Sequence, residues 1–224
     1  MKKTIKLLCC FAAISIFFAA CGENATETGD IPQKDDTGGP NAMQVYSLNS
    51  NGTFTETGTV CVLLENKDED ADPEYLQVGT IVNGIMKFSF PSGIDGDYLI
   101  NLAGEDAFGG FTCDPEEIPA FVSDLFFLKA GEDTPSGIII NANATYMKSI
   151  GASSSSSGTR SVKADLIYST ANAEVTGTYD GVVASIELEG GWDWLYTEKT
   201  SYEDWTMSST SPGAMMFAYQ PLED

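Results

Sequence analysis

The sequence predicts an all-β protein whose antiparallel strands pack as a β-sandwich. Short apolar runs recur between turn residues along the chain, and several of them alternate apolar and polar residues. No amphipathic helical pattern of useful length appears. Short strands separated by regular turn signals are typical of antiparallel sandwiches.

The first half of the predicted domain follows a tether. Predicted strands cover residues 43–48, 59–64, 75–82, 85–90 and 98–102. Asn83-Gly84 is a two-residue hairpin signal, because both positions of a type I′ turn require positive φ. The segment 104–119 is rich in Gly and acidic residues and predicts a loop. The apolar segment 120–129 fits either a strand or a short helix.

The second half has the same pattern. Predicted strands cover residues 138–146, 162–168, 173–179, 182–188, 192–196 and 215–219. Asp180-Gly181 predicts a second tight hairpin. The break at 131–137 permits two subdomains, 43–130 and 137–220, and one sandwich over 43–220 is equally open. The serine run 153–157 predicts a flexible loop.

Residues 1–20 have the features of a signal peptide. Lys2, Lys3 and Lys6 precede an apolar run over 7–20, which is shorter than the roughly 20 residues of a membrane-spanning helix. The run ends in Ala19-Ala20-Cys21, with small residues before the expected cleavage site. Plain secretion with cleavage near this point, and an incidental cysteine, is one interpretation.

The segment 18–21 resembles a bacterial lipobox, with Phe18 at the position that usually holds Leu. The resemblance implies that Cys21 carries a thioether-linked diacylglycerol and becomes the first mature residue. Residues 21–42 are then the lipidated cysteine and a tether, because they are almost entirely small or polar. Gly22, rather than Asp, follows the anchor. By similarity to the enteric sorting rule, this implies the outer membrane or cell surface, with the membrane as a partner through the lipid.

The strongly acidic composition excludes some partners. The chain has 11 Lys and Arg against 33 Asp and Glu, a formal net charge of −22. Such a surface repels nucleic acid, so no nucleic-acid partner is expected.

Cys61 and Cys113 are the two cysteines left for the folded part once Cys21 is assigned to lipid and Cys9 and Cys10 to the signal peptide. An oxidising envelope favours a disulfide between them. Two separately buried thiols are the alternative.

The absence of histidine from the chain removes Ser-His-Asp and Cys-His catalysis and His-ligated zinc. No phosphate-binding glycine loop of a known kind is present. We therefore expect a non-enzymatic domain without a cofactor. A small two-carboxylate glycosidase remains as an alternative.

Alternating acidic residues at Asp68, Asp70 and Asp72 are similar to the first half of a calcium loop. Pro73 stands where the sharp turn needs Gly, and Gly79 where the bidentate Glu belongs. An exposed acidic loop is the favoured interpretation, with weak calcium binding as the alternative.

Five aromatic residues near the carboxyl terminus are candidate ligand-binding groups. Trp192, Trp194 and Tyr196 share one face of an extended strand, and Tyr202 and Trp205 follow in a polar stretch. Aromatic rows beside carboxylates stack sugar rings in many β-sandwich modules.

Trp192 and Trp194 are even-numbered, as are Ile186 and Leu188. In an unbroken strand, all four side chains would therefore lie on one face. The favoured interpretation is therefore that both tryptophans continue that buried face. A bulge at Gly190-Gly191 would reverse it. Trp205 is the better candidate for an exposed binding aromatic.

The segment 138–219 resembles the end of uncharacterised bacterial surface lipoproteins. The resemblance rests on Val175-Thr176-Gly177-Thr178, an Asp-Gly turn, an alternating strand, Gly-Gly-Trp-Asp-Trp-Leu-Tyr and Ser211-Pro212-Gly213. It brings no defined activity. The lipobox, the tether, the acidic surface and the lack of a catalytic constellation together predict a β-sandwich domain displayed for adhesion, ligand capture or envelope structure. Glycan binding is the alternative function, and a protein ligand is equally open.

Overall fold

The computed structural model describes residues 42–48, 52–66, 73–104, 108–151, 160–200 and 204–222. The signal peptide, Cys21 and nearly all of the tether lie outside these residues, as do Asp68, Asp70, Asp72 and Tyr202. Within the described ranges the domain is mostly β-structure with a single α-helix, which confirms the predicted all-β class.

The strands are, in chain order, β1 (Met43–Ser47), β2 (Gly52–Thr53), β3 (Gly58–Leu64), β4 (Glu74–Val82), β5 (Ile85–Phe88), β6 (Ile100–Asn101), β7 (Thr112–Asp114), β8 (Pro119–Ser123), β9 (Leu125–Lys129), β10 (Gly137–Ala142), β11 (Ser161–Tyr179), β12 (Val182–Lys199), β13 (Trp205–Ser208) and β14 (Met216–Pro221). A short 3₁₀ helix, Gly96–Tyr98, precedes β6, and the helix α1 (Ala144–Gly151) follows β10.

Seven strands close into a barrel, in the order β9-β10-β14-β1-β5-β4-β3 and back to β9. Closure depends on the pairing of β9 with β10, in which Phe127 lies opposite Gly137. All neighbours are antiparallel except β1 and β14, which pair in parallel. The predicted sandwich of two facing sheets is therefore replaced by a closed barrel with additional strands.

The barrel interior holds the main core. Its largest fully buried side chains include Phe127, Ile81 and Met86. Phe54 stacks on Tyr219 with ring centroids 4.4 Å apart and meets Phe127 edge-on at 5.1 Å. Offset and edge-on ring pairs of this kind add to the stabilisation from burial.

The helix α1 covers the outside of the barrel, although the sequence pattern predicts a strand up to residue 146 and no helix. Asn143 caps its first turn, since its Oδ1 accepts a hydrogen bond from the backbone N–H of Tyr146 at 2.9 Å. Met147 packs on Ile140 and Ala142 of β10 in a third, small core cluster. Apolar residues from the strand are needed to stabilise so short a helix.

A second core lies between the two halves of the β11–β12 hairpin. The pairing register slips between Ser169 and Asn172 of β11, opposite Gly190 and Gly191 of β12. Both glycines have positive φ, 78° and 92°. The hairpin therefore bends sharply at this bulge.

The strand β13 lies between the two ends of β12. Trp205 is opposite both Val182 and Lys199, and Ser208 is opposite both Ser185 and Tyr196. β12 consequently turns back on itself. The enclosed core contains Ile167, Val175, Ala184, Ile186, Leu188, Leu195 and Met207.

The two predicted Xaa-Gly hairpin turns form. Asn83 and Gly84 have φ values of 49° and 76°, and Asp180 and Gly181 have 48° and 79°. Positive φ at both central residues is what a type I′ turn requires. Other strand predictions needed correction: residues 162–168 and 173–179 belong to one long strand. β7 lies in a segment predicted to be a loop, and β13 lies in a polar stretch for which no strand was predicted.

We expect Gly84→Ala to lower the free energy of unfolding by at least about 3 kcal/mol, because it combines left-handed backbone strain with a backbone clash. A Cβ at this position would lie 1.6 Å from the carbonyl oxygen of Phe54. Urea unfolding followed by circular dichroism measures the loss.

Gly131→Ala is the matched control. Gly131 has a φ of 87°, but no atom lies within 4 Å of its added Cβ, so only the backbone strain of about 1 kcal/mol remains. Equal losses in the two variants would contradict the close contact between the Phe54 backbone and the β4–β5 turn.

Candidate functional site

Three ionised side chains meet beside β11, and we call Asp124, Lys163 and Asp165 the charge cluster. Lys163 Nζ lies 2.8 Å from Asp124 Oδ1 and 2.7 Å from Asp165 Oδ1. The side chains of Lys163 and Asp165 are only 12% and 7% exposed, whereas that of Asp124 is 32% exposed. One ammonium therefore serves two carboxylates in a largely buried position.

Strand register explains how the charge cluster forms. β8 runs antiparallel to β11 with Ser123 opposite Leu166, so the next residue, Asp124, follows opposite Asp165. Lys163 and Asp165 are two residues apart on β11 and share a face. Because like charges directly opposite each other are destabilising, Lys163 is needed between the two carboxylates.

Burial and charge set the protonation of the charge cluster. Burial raises the pKa of Asp165 to about 6, although the Lys163 ammonium opposes the rise and Asp124 adds to it. Burial alone would lower the pKa of Lys163, but attraction to Asp165 and Asp124 outweighs it and raises that pKa. Lys163 is therefore held in its charged form.

Two further polar side chains border the charge cluster. Tyr146 of α1 has its pKa raised by burial, with smaller effects from Lys163, Asp165 and Asp124. Thr197 of β12 lies directly opposite Lys163 in the register. Its buried Oγ1 makes no hydrogen bond with the described residues. It is thus a buried polar atom next to the lysine that still has bonding capacity.

The sequence pattern alone does not predict the charge cluster. Lys163 and Asp165 occupy the polar positions of an alternating strand, a pattern that ordinarily indicates a solvent-exposed face. Their burial depends on β8, β12 and α1, which come from distant parts of the chain. A lysine and an aspartate two apart in a strand are the only local signal.

Phe88, Phe90 and Trp192 form a three-ring stack. Phe90 lies 4.9 Å from Phe88 and 5.4 Å from Trp192, with interplanar angles of 11° and 19°. Tyr168 contacts Trp192 at 5.2 Å, and the indole Nε1–H of Trp192 donates to the Pro91 carbonyl at 2.8 Å. The indole ring of Trp192 therefore packs against other aromatic rings, and its N–H group is satisfied by a hydrogen bond.

Trp194 is also packed within the protein. It meets Phe88 and Phe217 edge-on, at 5.7 and 5.9 Å. Both tryptophans are half-buried against the main core. The expectation that they continue the face of Ile186 and Leu188 was wrong, because those residues belong to the second core and the face reverses at Gly190-Gly191.

Trp205 has a different environment. It is half-buried on β13 and is not among the residues packed against the three described core clusters. Lys199 Nζ lies 4.8 Å from its ring centroid, a cation–π distance. Tyr196, the third aromatic of the predicted row, is half-buried on β12.

Cys61 and Cys113 are free and buried, and the disulfide between them is not formed. Cys61 lies on β3 opposite Gln77 and Phe126, whereas Cys113 lies on β7 opposite Val175. Burial raises the pKa of Cys61 to about 11 and also raises that of Cys113. Both thiols are therefore poor nucleophiles.

The described residues contain no group of three or more Cys, Asp or Glu side chains placed to hold a metal ion. In the same part of the chain, no helix has the length and apolarity to span a bilayer.

Comparison of the chain with protein-family models, with curated proteins and with solved structures finds no match.

We expect acidification from pH 7 to 5 to stabilise the wild-type protein relative to Asp165→Asn. The pKa of Asp165 is raised from 3.8 to about 6. The contribution of Asp165 to the free energy of unfolding is therefore complete below about pH 4 and is lost as the pH rises through about 6. Urea unfolding at pH 5, 6 and 7 should show a relative gain on the order of 1 kcal/mol.

Glu187→Gln, which neutralises an exposed carboxylate on β12, is the control and should follow the wild-type pH dependence. If the curves for wild type and Asp165→Asn are parallel over this range, Asp165 is not the titrating group.

Proposed function

We propose that the protein is a lipid-anchored bacterial envelope protein that displays a non-enzymatic β-barrel domain for adhesion, ligand capture or envelope structure. The observation that carries the proposal is the segment 2–21, with its lysines, apolar run and Ala19-Ala20-Cys21 ending. Several acyl chains on one cysteine give stable membrane attachment.

The position of the first barrel strand supports this arrangement. β1 begins at Met43, so 21 residues separate it from Cys21. Covalent geometry limits such a segment to about 75 Å. The anchor can therefore hold the domain close to a membrane or well above it, at a distance suited to a displayed module.

The state of the charge cluster supports a non-enzymatic role over the glycosidase alternative. Asp124 and Asp165 contact the same ammonium, so their contacting oxygens are at most about 5.5 Å apart, which is at or below the spacing of a retaining pair. However, Lys163 lies between the carboxylates, and Asp165 is buried. A sugar ring would have to displace the lysine to reach both of them.

We expect a labelled fatty acid to be incorporated into the wild-type protein and to be lost in Cys21→Ser, because the acyl chains attach at that cysteine. Metabolic labelling followed by immunoprecipitation measures the incorporation. Cys10→Ser is the matched control, since it removes a cysteine of the predicted signal peptide, and it should retain the label. Labelled Cys21→Ser protein would contradict the anchor assignment.

Carbohydrate binding is a second candidate, and one observation favours it. Of the three tryptophans, only Trp205 lies outside the sets packed against the described core clusters. Its ring is partly accessible beside the exposed Asp204, and an aromatic face next to a carboxylate suits a sugar ring with its hydroxyls.

If Trp205 binds sugars, Trp205→Ala should reduce glycan retention at least tenfold, because the stacking surface is removed. A glycan array with the purified full chain measures this. Val183→Ala, which changes an exposed apolar residue opposite Thr206 on the neighbouring strand, is the control and should bind as wild type does. Retention unchanged by Trp205→Ala would exclude this site.

A further inference from the structure

The charge cluster holds the three groups needed to form a covalent cross-link between strands. We propose that the side chains of Lys163 and Asp124 condense to an intramolecular amide bond, and that Asp165 transfers the protons of that reaction. The inference concerns a modification of the folded domain and does not depend on the proposed envelope function.

The contacts supply the required proximity. Lys163 Nζ is within hydrogen-bond distance of one oxygen on each carboxylate, at 2.8 and 2.7 Å. Reacting groups held at about 3 Å in a rigid site have effective concentrations far above those of free reactants. The surrounding strands β8, β11 and β12 fix all three side chains, so that they meet in every folded molecule.

The different environments of the two carboxylates assign their roles. Asp124 lies on a different part of the chain from Lys163, 39 residues away, and its one-third exposed side chain gives the released water a path to solvent. Asp165 is on the same strand as the lysine and is almost completely buried. Burial raises its pKa to about 6, which makes it able to accept and return a proton near neutral pH.

The reaction balances without any added reagent. Asp165 takes one proton from the Lys163 ammonium, and the neutral amine attacks Cγ of Asp124. The C–N bond forms and one Cγ–O bond breaks. The departing oxygen receives the proton held by Asp165 and a second proton from the nitrogen, and leaves as water. The products are an amide and one water molecule, and Asp165 returns to its starting state.

Burial favours the amide over the ion pair. Ionised groups in a low-dielectric interior carry a large desolvation cost, which is removed for two of the three groups when a neutral amide forms. Thr197, opposite Lys163, offers the new carbonyl a hydroxyl that has no partner among the described residues. The raised pKa of Lys163 keeps the neutral amine scarce, so we expect a slow reaction that takes place once in each folded molecule.

The bond would connect the β8–β9 junction to β11. That junction leads into β9, which closes the barrel, and β11 carries the second core. A covalent link at this point joins the two parts of the domain and would resist local separation by force or proteolysis.

Mass spectrometry of the purified full chain, denatured and digested with trypsin, tests the proposal. Trypsin does not cleave after an acylated lysine. We expect residues 88–129 to be recovered joined to residues 161–199, with a mass about 18 Da below the sum of the two peptides. Fragmentation should place the link between Asp124 and Lys163. Recovery of residues 161–163 and 88–129 as separate, unmodified peptides would overturn the proposal.

Variants test the assigned roles, with circular dichroism to check folding. Lys163→Arg keeps the positive charge but should give no linked peptide. Asp165→Asn keeps both reacting groups and should form the link at least tenfold more slowly. Asp193→Asn, a matched change on the adjacent strand, should link as the wild type does. A link to Asp165 itself, or full linkage in folded Asp165→Asn, would overturn the assigned roles.

Discussion

The bend in the β11–β12 hairpin is the constraint on which the rest of the domain depends. Gly190 and Gly191 adopt positive φ opposite the register slip between Ser169 and Asn172. Before the bend, Ile186 and Leu188 face the second core; after it, the even-numbered residues Trp192 and Trp194 pack against the barrel core. One hairpin therefore contributes to two cores, and residues with side chains would strain the two glycine positions.

The charge cluster is a consequence of that same hairpin. Along the segment of β11 that carries Lys163 and Asp165, β10 and then β8 lie on one edge and β12 lies on the other, and both side chains are largely buried. Buried ionic groups usually stabilise a fold less than apolar residues of similar size would, and leaving one of them unpaired is costly. The proposed amide bond would remove two of the three charged groups from the interior and join the barrel to the second core.

The bend in the hairpin also separates the tryptophans that pack inside the protein from the one that does not. Trp192 and Trp194 lie beyond the bend, where they contact Phe88, Phe90 and Phe217 and help to fill the space between the hairpin and the barrel. Trp205 lies on β13, outside that space and beside Lys199. A surface role is consequently open to Trp205, whereas the other two tryptophans stabilise the junction of the two cores.

The sequence by itself determined the all-β class, the type I′ turns at Asn83-Gly84 and Asp180-Gly181, and most strand positions, because these depend on local backbone preferences and on alternation within a strand. It also contains the residues 2–21 that predict the anchor. Only the tertiary structure decided that the sheet closes, since closure requires pairing of β1 with β14 and of β3 with β9 across long sequence separations. It likewise decided that Lys163 and Asp165 are buried and that Cys61 and Cys113 stay apart, because burial and side-chain distance depend on which strands become neighbours.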